Sequence, residues 1–222
     1  MTRADLFPDA ANALFGVRKG GPPLAEIDAA MRPETLDDAY AIQALLNDRL
    51  AASEPGPLAG YKIGCTTPVM QDYLGIPHPC AGAMFANTVF TGTGRYDRDA
   101  LHRPGVECEI AVDIAADIPA LADAGPEAVA PFVGAVRASI ELVNDRWNDF
   151  KAVSTPSLIT DNFFNAGCVL GPPVDADPMR LDRVTGRMII NDREVGSGSG
   201  ADILGHPLNA LGWLAGHQIR QG

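Results

Sequence analysis

Gly105-Val106-Glu107-Cys108-Glu109-Ile110-Ala111-Val112 decides how this chain is read. Apolar and β-branched residues dominate 106–112, so the segment is predicted to be a strand. Side chains alternate faces along a strand, which puts Glu107 and Glu109 on one side, about 6–7 Å apart. A second run of the same character, Ser139-Ile140-Glu141-Leu142-Val143, carries Glu141. Carboxylates on apolar strands are costly to bury unless something neutralises them. Three of them suit a hard divalent cation, Mg2+ or Mn2+, which takes oxygen ligands and leaves positions open for water and substrate. The plainer alternative is an edge strand with its glutamates turned to solvent and Val, Cys and Ile turned inward.

The surrounding pattern divides at the Glu54-Pro55-Gly56-Pro57 cluster. Residues 1–57 read as an N-terminal helical segment. Its main helix opens near Pro33-Glu34, with Thr35 and Asp37-Asp38 supplying first-turn polarity and Leu36, Tyr40 and Leu50 the apolar positions. Residues 58–222 read as a β-rich catalytic-type domain. Strands are expected over 61–65, 84–90, 106–112, 139–143 and 166–170, each bounded by Gly, Pro or polar residues. A short helix over 69–75 is capped by Thr67 and ended by Gly75. A longer one over 126–138 starts at Pro-Glu and carries Val129, Phe132, Val133 and Val136 on one side. Asn191-Asp192 joins two apolar triplets as a two-residue hairpin turn. The last helix is predicted over 205–220. Hairpin-paired strands with helices gathered at the two ends favour an α+β fold over a doubly wound parallel sheet.

Lys62 stands alone in Gly60-Tyr61-Lys62-Ile63-Gly64-Cys65-Thr66, far from any basic cluster. A lysine in a short apolar strand either snorkels to water or meets an anion inside. Lys62, the Glu107/Glu109 pair, Glu141 and Gly205-His206-Pro207-Leu208-Asn209-Ala210-Leu211-Gly212-Trp213 occur in a familiar order. From about Ala39-Tyr40-Ala41-Ile42-Gln43 to its end, the chain resembles the 2-hydroxypentadienoate (2-keto-4-pentenoate) hydratase and 4-oxalocrotonate decarboxylase family of the fumarylacetoacetate hydrolase superfamily. The resemblance implies a mixed β-roll core with peripheral helices. It also implies a Mg2+-type ion on Glu107, Glu109 and Glu141, and a lysine, Lys62, at the substrate. Two departures stand out. An aspartate credited with moving protons in a Pro-Asp-x-Gly stretch is replaced, in Pro79-Cys80-Ala81-Gly82, by Cys80. Family members also continue past the last helix through a further strand, whereas this sequence stops at Gly222. An edge left unpaired in that way predicts a homo-oligomer with the site closed by a neighbour.

Bulk composition narrows the partners. The 222 residues hold 17 basic and 28 acidic side chains, a formal net charge of −11, with no Lys/Arg cluster. Nucleic acid and anionic membrane surfaces would repel such a chain. A small anionic 2-oxo or 2-hydroxy acid must therefore be attracted locally, by a cation and Lys62. No apolar run is long enough to span a membrane, and Met1-Thr2-Arg3-Ala4-Asp5-Leu6-Phe7 has no secretory character. Cys65, Cys80, Cys108 and Cys168 lack C-x-x-C spacing and suit reduced thiols in a cytoplasmic protein.

Other features carry competing readings. Asp161 and Asn162 fall where the family has an Ala-Asp-Asn stretch by the active site, so substrate contact competes with turn capping. Cys80 is a candidate catalytic group by its family position, and a packing thiol by its lack of an evident base. His78 is either a solvated loop residue or a proton carrier. His206 is expected to be structural. The 144–149 loop reads as surface, although Arg146, close after Glu141, is a candidate for holding an acidic group. Gly196-Ser197-Gly198-Ser199-Gly200 reads as a flexible turn and not as a dinucleotide loop, because it follows a hairpin. The leading expectation is metal-dependent hydration of a 2-hydroxy-2,4-dienoate to a 4-hydroxy-2-oxo acid. Its rivals are decarboxylation of 4-oxalocrotonate, hydrolysis of an acylpyruvate, and a non-catalytic binding or assembly subunit.

Overall fold

The structure, a computed structural model, describes residues 2–120 and 124–221. Gly222, on which the expectation of an unpaired sheet edge turns, lies outside the described residues, as does Met1. Two helices lead the chain, α1 (Phe7–Arg18) and α2 (Leu36–Ala51). Thr35 caps α2 with a full capping box: its hydroxyl accepts from Asp38 N while the Asp38 carboxylate accepts from Thr35 N. Ala39, Ile42 and Leu46 on the inward side of α2 are 0% exposed, and they join Ala10, Ala11 and Leu14 of α1 in the main core. Burying each large aliphatic side chain there contributes about 1.5–3 kcal/mol.

Strands β1 (Leu58–Gly64) and β2 (Cys80–Phe85) form an antiparallel pair of their own, with Lys62 opposite Gly82. Between them α3 (Pro68–Leu74) has Thr67 as N-cap and Gly75 in the left-handed conformation as stop, as the sequence signals required. A four-stranded sheet has the order β3 (Val89–Thr91), β6 (Asn165–Leu170), β5 (Val133–Asp145), β4 (Arg103–Ile114). Only its β3–β6 pair is parallel. β7 (Thr185–Ile190) and β8 (Arg193–Ser199) close the predicted hairpin, with Asn191 and Asp192 both at positive φ as a tight turn of this kind needs. The mixture of helices and mostly antiparallel sheets agrees with the expected α+β class.

Three local expectations are corrected. Residues 84–90 are not one strand: Ala86–Thr88 is a single 3-10 turn, and Val89 leaves β2 to pair with Cys168 of β6. Residues 126–138 are not one helix. Helix α4 covers Pro126–Val129, a 3-10 turn covers Ala130–Phe132, and β5 begins at Val133. Pro131 has no N–H to continue a helix, and Val133 and Val136 find partners at Ile114 and Val112 of β4. The 196–200 segment is not a free turn, since its first four residues belong to β8 and Gly198 pairs with Gly186.

Helix α5 (Thr155–Thr160) adds Leu158 and Ile159 to the main core. Helix α6 (Pro207–Gln221) bridges two cores: Leu214 joins the first, while Leu208 and Leu211 pack with Val129, Val136 and Leu181 in a second. His206 Nδ1 accepts from Leu208 N at 3.1 Å and so caps α6, the structural role expected of it. No helix among the described residues is long and apolar enough to cross a membrane.

Candidate active site

The antiparallel register of β4 and β5 sets Glu107 directly across from Glu141, and Glu109 across from Ser139. All three glutamates therefore project from one face of the sheet. Like charges directly opposite on neighbouring strands repel. Here they are nonetheless gathered: one carboxylate oxygen from each of Glu107, Glu109 and Glu141 lies within 4.8 Å of the others. The cluster runs from solvent inward, with Glu107 exposed, Glu109 intermediate and Glu141 buried. Its chemistry, three carboxylate oxygens of which the one from Glu107 belongs to an exposed residue, fits a hard divalent cation.

Lys62 reaches this cluster from the other sheet. Its Nζ lies 3.4 Å from Glu141 Oε1 and donates to Phe163 O at 3.1 Å, while sitting 5.5 Å from the centre of the Phe163 ring. Burial alone would lower the lysine, yet Glu141, Glu107 and Glu109 together outweigh it and hold the ammonium above its ordinary range. It is thus held as a positive charge in the metal-free protein. Glu109 is pushed up to about 7, first by burial and then by the charges of Glu141 and Glu107. Burial also raises Glu141, against the pull of Lys62 and of a hydrogen bond from Asn165. One ammonium does not balance three carboxylates, and this excess of negative charge is what a cation would relieve.

The turn after α5 frames the inner end. Asn162, Phe163 and Phe164 all have positive φ (52°, 47° and 69°), a conformation that costs non-glycine residues about 1–3 kcal/mol each. The turn then delivers Asn165, whose Nδ2 donates to Glu141 Oε1 at 2.8 Å. Asn162 is fully buried, accepting from Ala83 N and donating to Asn47 Oδ1, each at 2.7 Å. Asp161 is 1% exposed and lies between two arginines, Arg18 Nε at 2.5 Å and Arg146 Nη1 at 2.9 Å. Both residues put forward for substrate contact thus have their side chains engaged by the protein. Gly82 lets β2 lie against the turn: a Cβ there would fall 2.8 Å from Asn162 O.

Cys80 is 0% exposed within the main core. A hydrogen bond to the Cys65 thiol, followed by burial, pushes Cys80 far above the usual thiol range. Such a group keeps its proton and does not yield it usefully near neutrality. His78 has its Nδ1 2.7 Å from Pro79 O and its ring stacked on Trp213 at 6.0 Å. The 144–149 loop is partly interior, since Asn144, Arg146 and Trp147 are buried. Arg146 does hold an acidic group, the chain's own Asp161. Sequence reasoning missed Asn165 and Arg18. The only hint for Arg18 was a basic residue closing an amphipathic helix, which ordinarily stays in water.

No protein-family model matches the chain. It is 34% identical over 219 residues to the 2-keto-4-pentenoate hydratase of Paraburkholderia xenovorans (strain LB400), covering 96% of this chain and 79% of that protein. It is 30% identical over 191 residues to the 2-oxo-hept-4-ene-1,7-dioate hydratase of Escherichia coli, covering 82% and 69%. Among solved structures, 4-oxalocrotonate decarboxylase from Pseudomonas putida G7, complexed with magnesium and adipate, superposes with a TM-score of 0.86 at 23% identity. That match takes in 100% of this chain and 83% of the other, and it supports the shared fold.

Proposed function

The chain belongs to the 2-keto-4-pentenoate hydratase family, and on that premise we propose a hydro-lyase that adds water to a 2-hydroxy-2,4-dienoate to give a 4-hydroxy-2-oxo acid. The observation that carries the reading is the gathering of Glu107, Glu109 and Glu141 within 4.8 Å, with the buried Lys62 ammonium 3.4 Å from Glu141. The three glutamates hold Mg2+ or Mn2+. When bound, such an ion supplies positive charge against the substrate's carboxylate and 2-oxygen. Glu107, the exposed member, marks the side from which an anionic substrate enters.

In the metal-free protein Glu141, Glu107 and Glu109 outweigh burial and hold the Lys62 ammonium above its ordinary range. Two of its donors are directed to Phe163 O and Glu141. We assign Lys62 the task of steadying negative charge on the 2-oxygen as the dienol ketonises and the conjugated ketone accepts water. We assign proton transfer to Lys62 and packing to Cys80, whose raised thiol is unsuited to the work of an aspartate. Asp161 and Asn162 belong to the frame of the site and not to its substrate-facing surface. The same proposal includes the β-roll description of the fold and a cytoplasmic location. It also includes a homo-oligomer, for which Val106 and Ile140, exposed on the sheet face opposite the glutamates, give support.

The test is turnover by protein stripped with a chelator and then reloaded. Mg2+ or Mn2+ should restore loss of the dienoate chromophore of 2-hydroxypenta-2,4-dienoate, with one oxygen from labelled water in the product. Protein that binds the cation yet leaves the dienoate unchanged, or that releases carbon dioxide from 4-oxalocrotonate instead, would overturn the assignment.

A further inference from the structure

Arg18 closes α1, where a cation facing water would already complement the helix C-terminus. It is instead drawn inside, its side chain 10% exposed, to reach residues 143 and 147 positions further along the chain. Its Nε donates to Asp161 Oδ1, and its Nη2 to Asp161 O at 2.8 Å and Asn165 O at 3.2 Å. Arg146, the residue just past the end of β5, repeats the pattern, donating to Asp161 Oδ2 at 2.9 Å and Asn165 O at 3.1 Å. Two guanidinium forks thus close on the same two residues, one at each end of the 161–165 turn. Between those ends lie the three positive-φ residues, a backbone that does not hold itself. The groups the turn presents are Phe163 O to Lys62 and the Asn165 amide to Glu141.

We infer that Arg18, together with Arg146, is a positioning residue: it staples the ends of the 161–165 turn so that Phe163 O and Asn165 Nδ2 hold Lys62 and Glu141 as an ordered pair at the cation site. The inference deepens the hydratase reading and rests on it for the role of the pair. Arginine suits this task because its planar fork fixes several acceptors at once, which a lysine ammonium on a flexible stem does not. Groups that orient metal ligands without touching the metal commonly change cation affinity by about 10–100-fold when removed.

The test separates positioning from general stability. Lys62 acylation by a small amine-reactive reagent is followed by mass spectrometry, with the exposed Lys151 as internal reference, and Mn2+ affinity is measured on the same preparations. Arg18→Gln should raise the Lys62 labelling rate at least fivefold and weaken Mn2+ binding about tenfold. Arg18→Lys, held ready should the glutamine variant not fold, should move both readouts in the same direction by less. Phe7→Ala loosens the same helix about 16 Å away along its axis; it should lower the melting temperature and leave both readouts at wild-type values. Wild-type labelling in both Arg18 variants, or the same increase in Phe7→Ala, overturns the inference. Wild-type protein that binds no Mn2+ removes the hydratase reading instead, and the labelling rates then decide the positioning role alone.

Discussion

Glu109→Gln should make the metal-free protein more stable while removing its affinity for the cation. A carboxylate lifted from its ordinary 4.5 to about 7 carries roughly 3 kcal/mol against its ionised form above pH 7. The side chain is partly open to water, so screening leaves about half of that, 1–2 kcal/mol. The sign follows from the direction of the shift. Below about pH 4.5 the carboxyl is protonated in both folded and unfolded chains and contributes nothing. Between about pH 4.5 and 7 the unfolded chain releases this proton while the folded protein resists doing so, so stability falls across that window and the loss is complete a little above 7. Glutamine keeps the shape without the charge. In chelator at pH 8 the variant should melt about 3–6 °C above wild type, and the advantage should shrink toward zero near pH 5. Saturating Mn2+ should reverse the order, because wild type gains about 2.7 kcal/mol when the ion is at a hundred times its Kd and the variant gains little. Thermal melts at the two pH values, with chelator and with Mn2+, provide the whole comparison. A variant less stable than wild type in chelator at pH 8 would refute the claim that the carboxylates are held together against their own repulsion.

Lys62→Met should reduce turnover more than a hundredfold and lower metal-free stability at pH 8 by about 3–5 kcal/mol, since Glu141 loses its buried ion-pair partner; steady-state kinetics and denaturant titration measure the two effects. Cys80→Ser should leave kcat within about threefold of wild type, because a thiol raised by Cys65 and burial contributes no proton transfer, and a large loss of kcat with unchanged Mn2+ affinity would assign the cysteine a chemical role. Asp161→Asn should be among the most destabilising single changes, about 3–5 kcal/mol by denaturant titration, since it leaves Arg18 and Arg146 facing each other in the interior without a counter-charge.

Much of the site was legible because its residues advertise themselves locally. Glu107 and Glu109 interrupt an apolar strand, Lys62 is isolated between glycines, and the alternation rule alone places the pair on one face. The cap at Thr67, the stop at Gly75 and the Asn191-Asp192 turn are likewise matters of a few neighbouring residues. What escaped depends on distance along the chain. Asn165 looks like any strand-edge amide until the 161–165 turn aims it at Glu141. Arg146 and Trp147 sit in a polar string that reads as surface, and only the arrival of Asp161 and α1 makes that string interior. The apolar spacing at 129, 132, 133 and 136 satisfies a helix and a strand about equally well. Pairing with β4, and the missing N–H of Pro131, resolved that ambiguity toward the strand.

Lys62 and the three glutamates belong to different sheets, with no ladder of backbone hydrogen bonds running from one to the other among the described residues. The spacing among the carboxylates is fixed by strand register and cannot drift without breaking β4 from β5. The reach of the lysine is set separately, by how β2 seats Gly82 against the Asn162 carbonyl. The site therefore has one rigid coordinate and one tunable coordinate. Substitutions at core positions under the β1–β2 pair can shift the ammonium while the three glutamates stay where they are. Sequence drift behind Lys62 in that small sheet, away from the three glutamates, gives this architecture a route for changing where positive charge is offered without disturbing the carboxylate cluster.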